Sequence, residues 1–199
     1  MPFPPDPPNP WTTLRTRCVN DNPWTRLEEN AVLRPDGAPG TYWVTRFANR
    51  ACGVVPYEVR GGVPGVWLVG QTRYALDAYS WEVPEGGVPP GEDMRAAARR
   101  ELREETGISA ERMVRLFDVH TSNSVTDEWG RVFLATGLSH GVPAPEGTED
   151  ITAMFVPMAD ALEAVDRGRI TDAITVAGLL RVELLRLSGR LPAAADEPS

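Results

Sequence analysis

The hydrophobic pattern of this chain changes near Asp93, from the apolar runs of strands to the three- and four-residue spacing of a helix. Before that point, turn residues separate four β-branched runs, which predict two hairpins from strands at 24–33, 41–47, 51–60 and 66–72. Residues 93–106 then predict one helix that Gly107 ends. Further strands are expected at 113–119, 132–138 and 151–157, and helices at 159–166 and 171–188.

The length of 199 residues corresponds to about one compact domain with appendages. Six of the first ten residues are proline, so residues 1–10 are expected to form a disordered, proline-rich arm. Residues 192–199 are small, acidic and interrupted by proline, and they predict a disordered tail. We therefore place a single domain at 11–191, with N-terminal strands at about 11–47.

All 20 basic residues are arginine and none is lysine, which excludes a lysine Schiff base and a lysine-bearing phosphate loop. The 28 acidic residues give a net charge of −8, which argues against a nonspecific nucleic-acid binder. Only Cys18 and Cys52 are present, too few for a disulfide framework, and we expect both to be reduced core or strand residues. No export signal or bilayer-spanning apolar run is found, so a cytoplasmic location without a membrane partner is expected.

The predicted helix carries a cluster of acidic side chains. Glu101, Glu104 and Glu105 are three and four residues apart, which puts their carboxylates on adjoining parts of one face. Like charges this close repel unless they are solvated, paired with arginine or gathered around a cation, and their oxygens suit Mg²⁺ or Mn²⁺. A solvated helix of mixed charge, with Arg100 and Glu104 as an i, i+4 pair, explains the same pattern.

The segment at 86–108 resembles the Nudix box, G-x5-E-x7-R-E-U-x-E-E-x-G-U, where U is a bulky aliphatic residue. The matching positions are Gly86, Glu92, Arg100, Glu101, Leu102, Glu104, Glu105, Gly107 and Ile108. The approach to the box also resembles the ADP-ribose and nucleotide-sugar pyrophosphatase subgroup, through a Q-x-R element at 71–73 and a W-E-x-P-x-G element at 81–86. The resemblance implies an α/β fold, the Nudix α/β/α sandwich of a mixed sheet flanked by helices with an N-terminal β-strand extension. It also implies a homodimer through the N-terminal strands.

The resemblance assigns roles to the box residues. Glu101 and Glu105 are expected to be the principal metal ligands, with Glu104 as a third or water-mediated ligand and the backbone carbonyl of Glu85 completing the shell. Arg100 is expected to orient the glutamates. Glu92 is expected to brace the start of the helix, whereas Gly86 and Gly107 occupy backbone positions that suit only glycine.

Outside the box, the resemblance implies a later glutamate that serves as general base or metal ligand. Glu128 is the candidate, and Asp127 is the neighbour that could replace it. Arg73 is expected to face a phosphate or the partner subunit, and Glu82 to hydrogen-bond a base or ribose. The remaining candidates have structural alternatives: strand tryptophans that either stack on a base or pack in the core (Trp43, Trp67, Trp81), and histidines expected to be structural (His120, His140).

Together these features predict divalent-metal-dependent hydrolysis of the pyrophosphate bond in a nucleoside diphosphate derivative, either ADP-ribose or a nucleotide sugar, giving two monophosphates. Two or more Mg²⁺ or Mn²⁺ ions would neutralise the phosphate oxygens and lower the pKa of the attacking water. Two alternatives remain at this point. One is a housecleaning nucleoside triphosphate pyrophosphatase, and the other is a non-catalytic domain that binds ADP-ribose or a nucleotide as a sensor.

Overall fold

The computed structural model describes residues 3–143 and 150–192, so the predicted tail lies outside the described residues except for Pro192. Residues 3–10 form neither helix nor strand. The chain divides into two compact units. The first comprises Met1–Ala48 and Ser122–Glu128, and the second comprises Asn49–Thr121 and Trp129–Ser199.

The first unit is a three-stranded antiparallel sheet in the order β1-β2-β3, formed by β1 (Thr12–Asp21), β2 (Thr25–Leu33) and β3 (Pro39–Phe47). The β2–β3 hairpin confirms the first predicted hairpin. Strand β1 lies within the predicted N-terminal strand region at about 11–47, but it was not predicted as a separate strand, because all of its residues are exposed and it lacks the apolar alternation of a half-buried strand. Thr45 of β3 hydrogen-bonds through its backbone to Val125 and Asp127, which attaches Ser122–Glu128 to this sheet.

The second unit contains a seven-stranded mixed sheet. Its strands are β4 (Arg50–Arg60), β5 (Val63–Arg73), β6 (Ala78–Glu82), β7 (Glu85–Val88), β8 (Ile108–His120), β9 (Trp129–His140) and β10 (Thr152–Pro157). The order is β10-β5-β4-β9-β8, with β6 paired to β5 and β7 paired to β4. The β4–β9 pair is parallel, whereas the other pairs are antiparallel.

Helices cover both faces of this sheet. Helix α1 (Met94–Thr106) packs on one face, where Leu102 joins a core cluster with Val54. Helices α2 (Met158–Asp166) and α3 (Ala173–Leu187) pack on the other face against a cluster that includes Val55. Successive strand residues point to opposite faces, so β4 contributes to both clusters. The expected α/β/α layering is confirmed.

Local signals explain where α1 lies. The side chain of Asp93 caps the helix by accepting a hydrogen bond from the backbone N–H of Ala96 at 2.9 Å. Gly107 ends it with φ of 71°, a left-handed conformation that favours glycine. Strands β6 and β7 were not predicted, because they are short and β7 contains two glycines. Within the described residues, no helix has the length and apolar character needed to cross a membrane.

Candidate active site

Strand β7 and helix α1 meet at Gly86 and Glu101. In the β4–β7 ladder Gly86 is paired with Cys52, and a Cβ placed on Gly86 would overlap the carboxylate of Glu101. The backbone of β7 therefore approaches the first glutamate of the cluster more closely than any side chain at position 86 would permit.

Arg100 lies between the carboxylates of the box. Its guanidinium donates to Glu92 at 3.3 Å, to Glu101 at 2.8 Å and to Glu104 at 3.1 Å. It also donates to the carbonyl oxygen of Gly87 in β7 at 3.3 Å. The pKa of Arg100 is raised, first by the hydrogen bond with Glu92 and then by the charge of Glu101. This arginine therefore holds three carboxylates and the β7 backbone together, and its orienting role in the reaction stays a prediction.

The third glutamate of the cluster is buried. Only 3% of the surface of Glu105 is exposed, and its Oε2 accepts a hydrogen bond from the backbone N–H of Glu85 at 3.2 Å. Glu101 and Glu104 are half-buried and reach the surface. The cluster thus runs from the interior at Glu105 to the solvent at Glu104.

The Glu85 side chain is held in an unfavourable environment. Its Oε1 accepts a hydrogen bond from Arg73 at 3.1 Å, whereas its buried Oε2 has no hydrogen-bond partner in the described part of the chain. Burial raises the pKa of Glu85 well above its ordinary value, and the negative charges of Asp172 and Glu82 raise it further. A buried carboxylate oxygen without a partner is costly in a folded protein.

Arg73 and Glu82, the two residues expected to contact substrate, contact each other. Arg73 Nε lies 3.0 Å from both carboxylate oxygens of Glu82, whose side chain is 4% exposed. The pKa of Arg73 is raised, mainly by this hydrogen bond. The guanidinium remains partly exposed, so it can still reach a ligand, but the substrate contacts of both residues stay predictions.

Glu128 and Asp127 belong to the first unit, whereas the box belongs to the second. Asp127 accepts hydrogen bonds from the backbone N–H of Phe47 at 2.9 Å and from Arg46 at 3.4 Å. The backbone N–H of Glu128 donates to Thr126 at 3.4 Å. Asp127 is thus engaged in holding its loop to β3, and the role of Glu128 as general base or ligand stays a prediction.

The other tryptophans, histidines and cysteines considered from the sequence differ in burial and in their contacts. Trp67 and Trp81 are partly buried and pack against the two core clusters, but Trp43 is 44% exposed. His140 lies 3.4 Å from Glu58 and 5.1 Å from the ring of Trp67. Cys52 is buried, Cys18 is exposed on β1, and both are free thiols, as expected. Sequence reasoning did not single out Arg50 and Trp129, which start two adjacent strands and touch.

The carboxylates of the box are ligands of the type that a hard divalent cation prefers, although they do not converge on one point. Within residues 3–143 and 150–192, no three His, Cys, Asp or Glu side chains are close enough to form a cation site. Arg100 neutralises Glu101 and Glu104, and the β7 backbone holds Glu105. Carboxylate oxygens are the ligands Mg²⁺ and Mn²⁺ prefer, and the unpartnered Glu85 Oε2 leaves one such oxygen unsatisfied.

Comparisons with known proteins give consistent results. The model of the NUDIX domain family matches residues 48–176. An ADP-ribose pyrophosphatase of Mycobacterium tuberculosis is 36% identical over 187 residues, which cover 92% of this chain and 88% of that protein. An ADP-ribose pyrophosphatase of Bacillus subtilis is 34% identical over 119 residues, covering 59% and 64% of the two chains. The crystal structure of an ADP compounds hydrolase superposes with a TM-score of 0.79 at 21% identity, covering 91% of this chain and 97% of the other, which shows a shared fold.

Proposed function

Because this chain belongs to the Nudix family of pyrophosphohydrolases, we propose that it hydrolyses ADP-ribose to AMP and ribose 5-phosphate. The observation that carries the proposal is the placement of Glu101, Glu104 and Glu105 on α1 against the glycine backbone of β7. The Mycobacterium tuberculosis relative, which bears the name of this activity, aligns with both units of the chain rather than with the box alone.

Glu101 and Glu105 would hold the divalent ions, Mg²⁺ or Mn²⁺, with Glu104 and the backbone carbonyl of Glu85 as additional ligands. Bound ions of this kind neutralise phosphate oxygens and lower the pKa of an attacking water. Arg100 would orient Glu101 and Glu104 through the hydrogen bonds it already makes. Glu92 would in turn hold Arg100.

Residues outside the box would complete the site. Glu128 would act as general base or as a further ligand. Arg73 would offer the exposed part of its guanidinium to a phosphate, while Glu82 keeps that guanidinium in place from the buried side. Substitution of Glu128 would separate its contribution from that of Arg73 and Glu82, whereas the latter two side chains are bonded to each other and act as a pair.

Association through the N-terminal strands is part of the proposal. The first unit exposes large apolar side chains both on its strands and next to them, among them Trp11, Leu14, Val19, Trp24 and Trp43. Exposed apolar groups of this number on one small unit favour burial against a second copy. We expect a homodimer, which analytical ultracentrifugation of the full chain would detect.

The test is a substrate panel at fixed Mg²⁺ with chromatographic identification of both products. The panel contains ADP-ribose, nucleotide sugars, dinucleotides and nucleoside triphosphates. The wild type is compared with Glu101→Gln and Glu105→Gln, and with Glu111→Gln as a control, since Glu111 is exposed on β8. We expect AMP and ribose 5-phosphate from ADP-ribose, a loss of at least about 100-fold in both site variants, and no loss in the control.

Other outcomes would contradict the proposal in distinct ways. Release of pyrophosphate from nucleoside triphosphates, without cleavage of ADP-ribose, would identify a triphosphate pyrophosphatase. Tight binding of ADP-ribose without any product would identify a binding domain. Full turnover in Glu101→Gln and Glu105→Gln would refute the assignment of the metal ligands.

A further inference from the structure

Two arginines lie over one tryptophan at the start of the central parallel strand pair. The guanidinium carbon of Arg50, the first residue of β4, is 5.2 Å from the ring centroid of Trp129, the first residue of β9. The corresponding distance for Arg131 is 5.3 Å. Both distances fall within the range of cation–π contacts, so the indole restrains two positive charges beside each other.

Arg50, Arg131 and the neighbouring Arg115 form an arginine cluster whose positive charge is not fully neutralised by acidic side chains. Arg131 donates to both oxygens of Asp118 at 2.7 and 3.0 Å, and Arg115 donates to the same carboxylate at 3.2 and 2.8 Å. The exposed guanidinium of Arg50 has no hydrogen bond or ion pair with any residue that the structure describes. Arg115 and Arg131 therefore share the carboxylate of Asp118, and the negative charge of Asp93 also acts on Arg131. Arg50 has no acidic partner among the described residues, so three arginines face two acidic side chains.

The arginine cluster lies beside the glutamates of the box. In the β4–β7 ladder Arg50 is paired with Val88, two residues along from the pair of Cys52 with Gly86, which corresponds to about 7 Å of strand. Trp129 packs against the core cluster beneath α1. The guanidinium of Arg50 is therefore on the face of the sheet that α1 covers, as is Glu101.

A cavity of about 690 Å³ adjoins Arg131, which helps to line it. Its other walls come from the start of α1 and from β8 and β9, including Asp93, Met94 and Phe117. This volume is within the range of small-molecule sites. The cavity thus provides space for the substituent of a phosphoryl group that is bound to Arg50 and Arg131.

We propose that Arg50 and Arg131, stacked on Trp129, bind a phosphoryl group of the substrate beside the box glutamates, and that the adjoining cavity receives the substituent of that phosphate. The glutamates alone would repel an anionic substrate, whereas a guanidinium presents a planar set of donors to phosphate oxygens. Stacking on the indole of Trp129 already restricts the arginine side chains, so they lose less conformational entropy when they bind a phosphate. This inference rests on the proposed function for the identity of the phosphate carrier, but not for the anion site itself.

Calorimetric titration with inorganic pyrophosphate in divalent-free buffer tests the anion site without turnover. The variants are Arg50→Ala, Arg50→Lys and the matched control Arg60→Ala. Arg60 ends the same strand and lies 5.4 Å from the rings of Trp67 and Phe155. We expect the dissociation constant to rise at least about tenfold in Arg50→Ala, because a hydrogen bond to a charged group is lost, to rise less in Arg50→Lys, and to be unchanged in Arg60→Ala. Equal affinity of wild type and Arg50→Ala, or no binding by the wild type, would overturn the inference.

Kinetics with ADP-ribose separate this inference from the proposed function. Arg50→Ala should raise KM at least about tenfold and leave kcat within about threefold, and its KM should depend less on salt concentration than that of the wild type. An unchanged KM would count against the inference. If the wild type hydrolyses no nucleoside diphosphate derivative, the proposed function fails, and the pyrophosphate titration still decides whether the anion site exists.

Discussion

Gly86 lies so close to Glu101 that a Cβ at position 86 would overlap the Glu101 carboxylate. Gly86→Ala must therefore displace Glu101 or the β7 backbone. We expect kcat to fall at least about 100-fold, because small displacements of site groups have effects of this size. We also expect a loss of about 1–3 kcal/mol in the free energy of unfolding, as for other overpacked positions. Steady-state kinetics and urea denaturation measure the two effects.

Gly87→Ala is the control for this substitution. The nearest atom to a Cβ at Gly87 is the side-chain amide nitrogen of Asn49, at 3.0 Å, and that side chain can move. We expect activity within about threefold of wild type and a stability change below about 1 kcal/mol. Equal losses of activity and stability in Gly86→Ala and Gly87→Ala would show that overlap with Glu101 is not the cause.

Arg73→Ala is expected to destabilise the second unit by about 3 kcal/mol, because it leaves the buried carboxylate of Glu82 without its partner. The double substitution Arg73→Met with Glu82→Leu removes both charges of this pair and should recover part of that loss, but not all of it, because Glu85 Oε1 still lacks the hydrogen bond from Arg73. Denaturation of the single and double variants gives the coupling between the two side chains. A double variant as unstable as Arg73→Ala would contradict the importance of this pair.

Glu85→Gln is expected to stabilise the protein at neutral and alkaline pH. Burial raises the pKa of Glu85 in the folded state above the ordinary 4.5, so folding favours the protonated carboxyl. The free energy of unfolding then decreases as the pH rises above 4.5. The amide carries no charge, so the variant should gain about 1–2 kcal/mol at pH 8 and little at pH 4, measured by denaturation without divalent ions. A gain that is the same at both pH values would contradict this explanation.

Cys52 should not react with alkylating reagents in the folded protein. Burial, and then the negative charge of Glu101, raise the pKa of its thiol to about 12, so the reactive thiolate is scarce at pH 8. Because the pKa is raised above the ordinary 9.0, the stability that the neutral thiol contributes is complete below that pH and is lost as the pH rises towards 12. Mass spectrometry after iodoacetamide treatment should find one label, on the exposed Cys18.

Cys18→Ser provides the control for that measurement. This variant should take up no label when folded and one label, on Cys52, in guanidinium chloride. A label on Cys52 in the folded chain would show that its thiol is more accessible than the structure indicates.

Elements with a strong local pattern were predicted closely. Helix α1, predicted at 93–106, is observed at Met94–Thr106 with Asp93 as its cap, because its capping residues and apolar spacing lie within one short segment. Strands β8 and β9 extend beyond the predicted 113–119 and 132–138, because their ends are more polar than their centres and pair through the backbone. Strand β1 falls inside the predicted strand region at about 11–47, but its bounds were not predicted, for the same reason: backbone pairing leaves no hydrophobic pattern in a strand that buries no side chain.

The sequence by itself determined that three carboxylates share one helical face, because side chains three and four residues apart in a helix are neighbours wherever the helix lies. Only the tertiary structure decided which groups surround them. It brought Gly86 against Glu101, buried Glu82 with Arg73, and stacked Arg50 on Trp129. These contacts join different strands and helices, and strand pairing depends on the packing of the whole sheet rather than on a spacing along the chain.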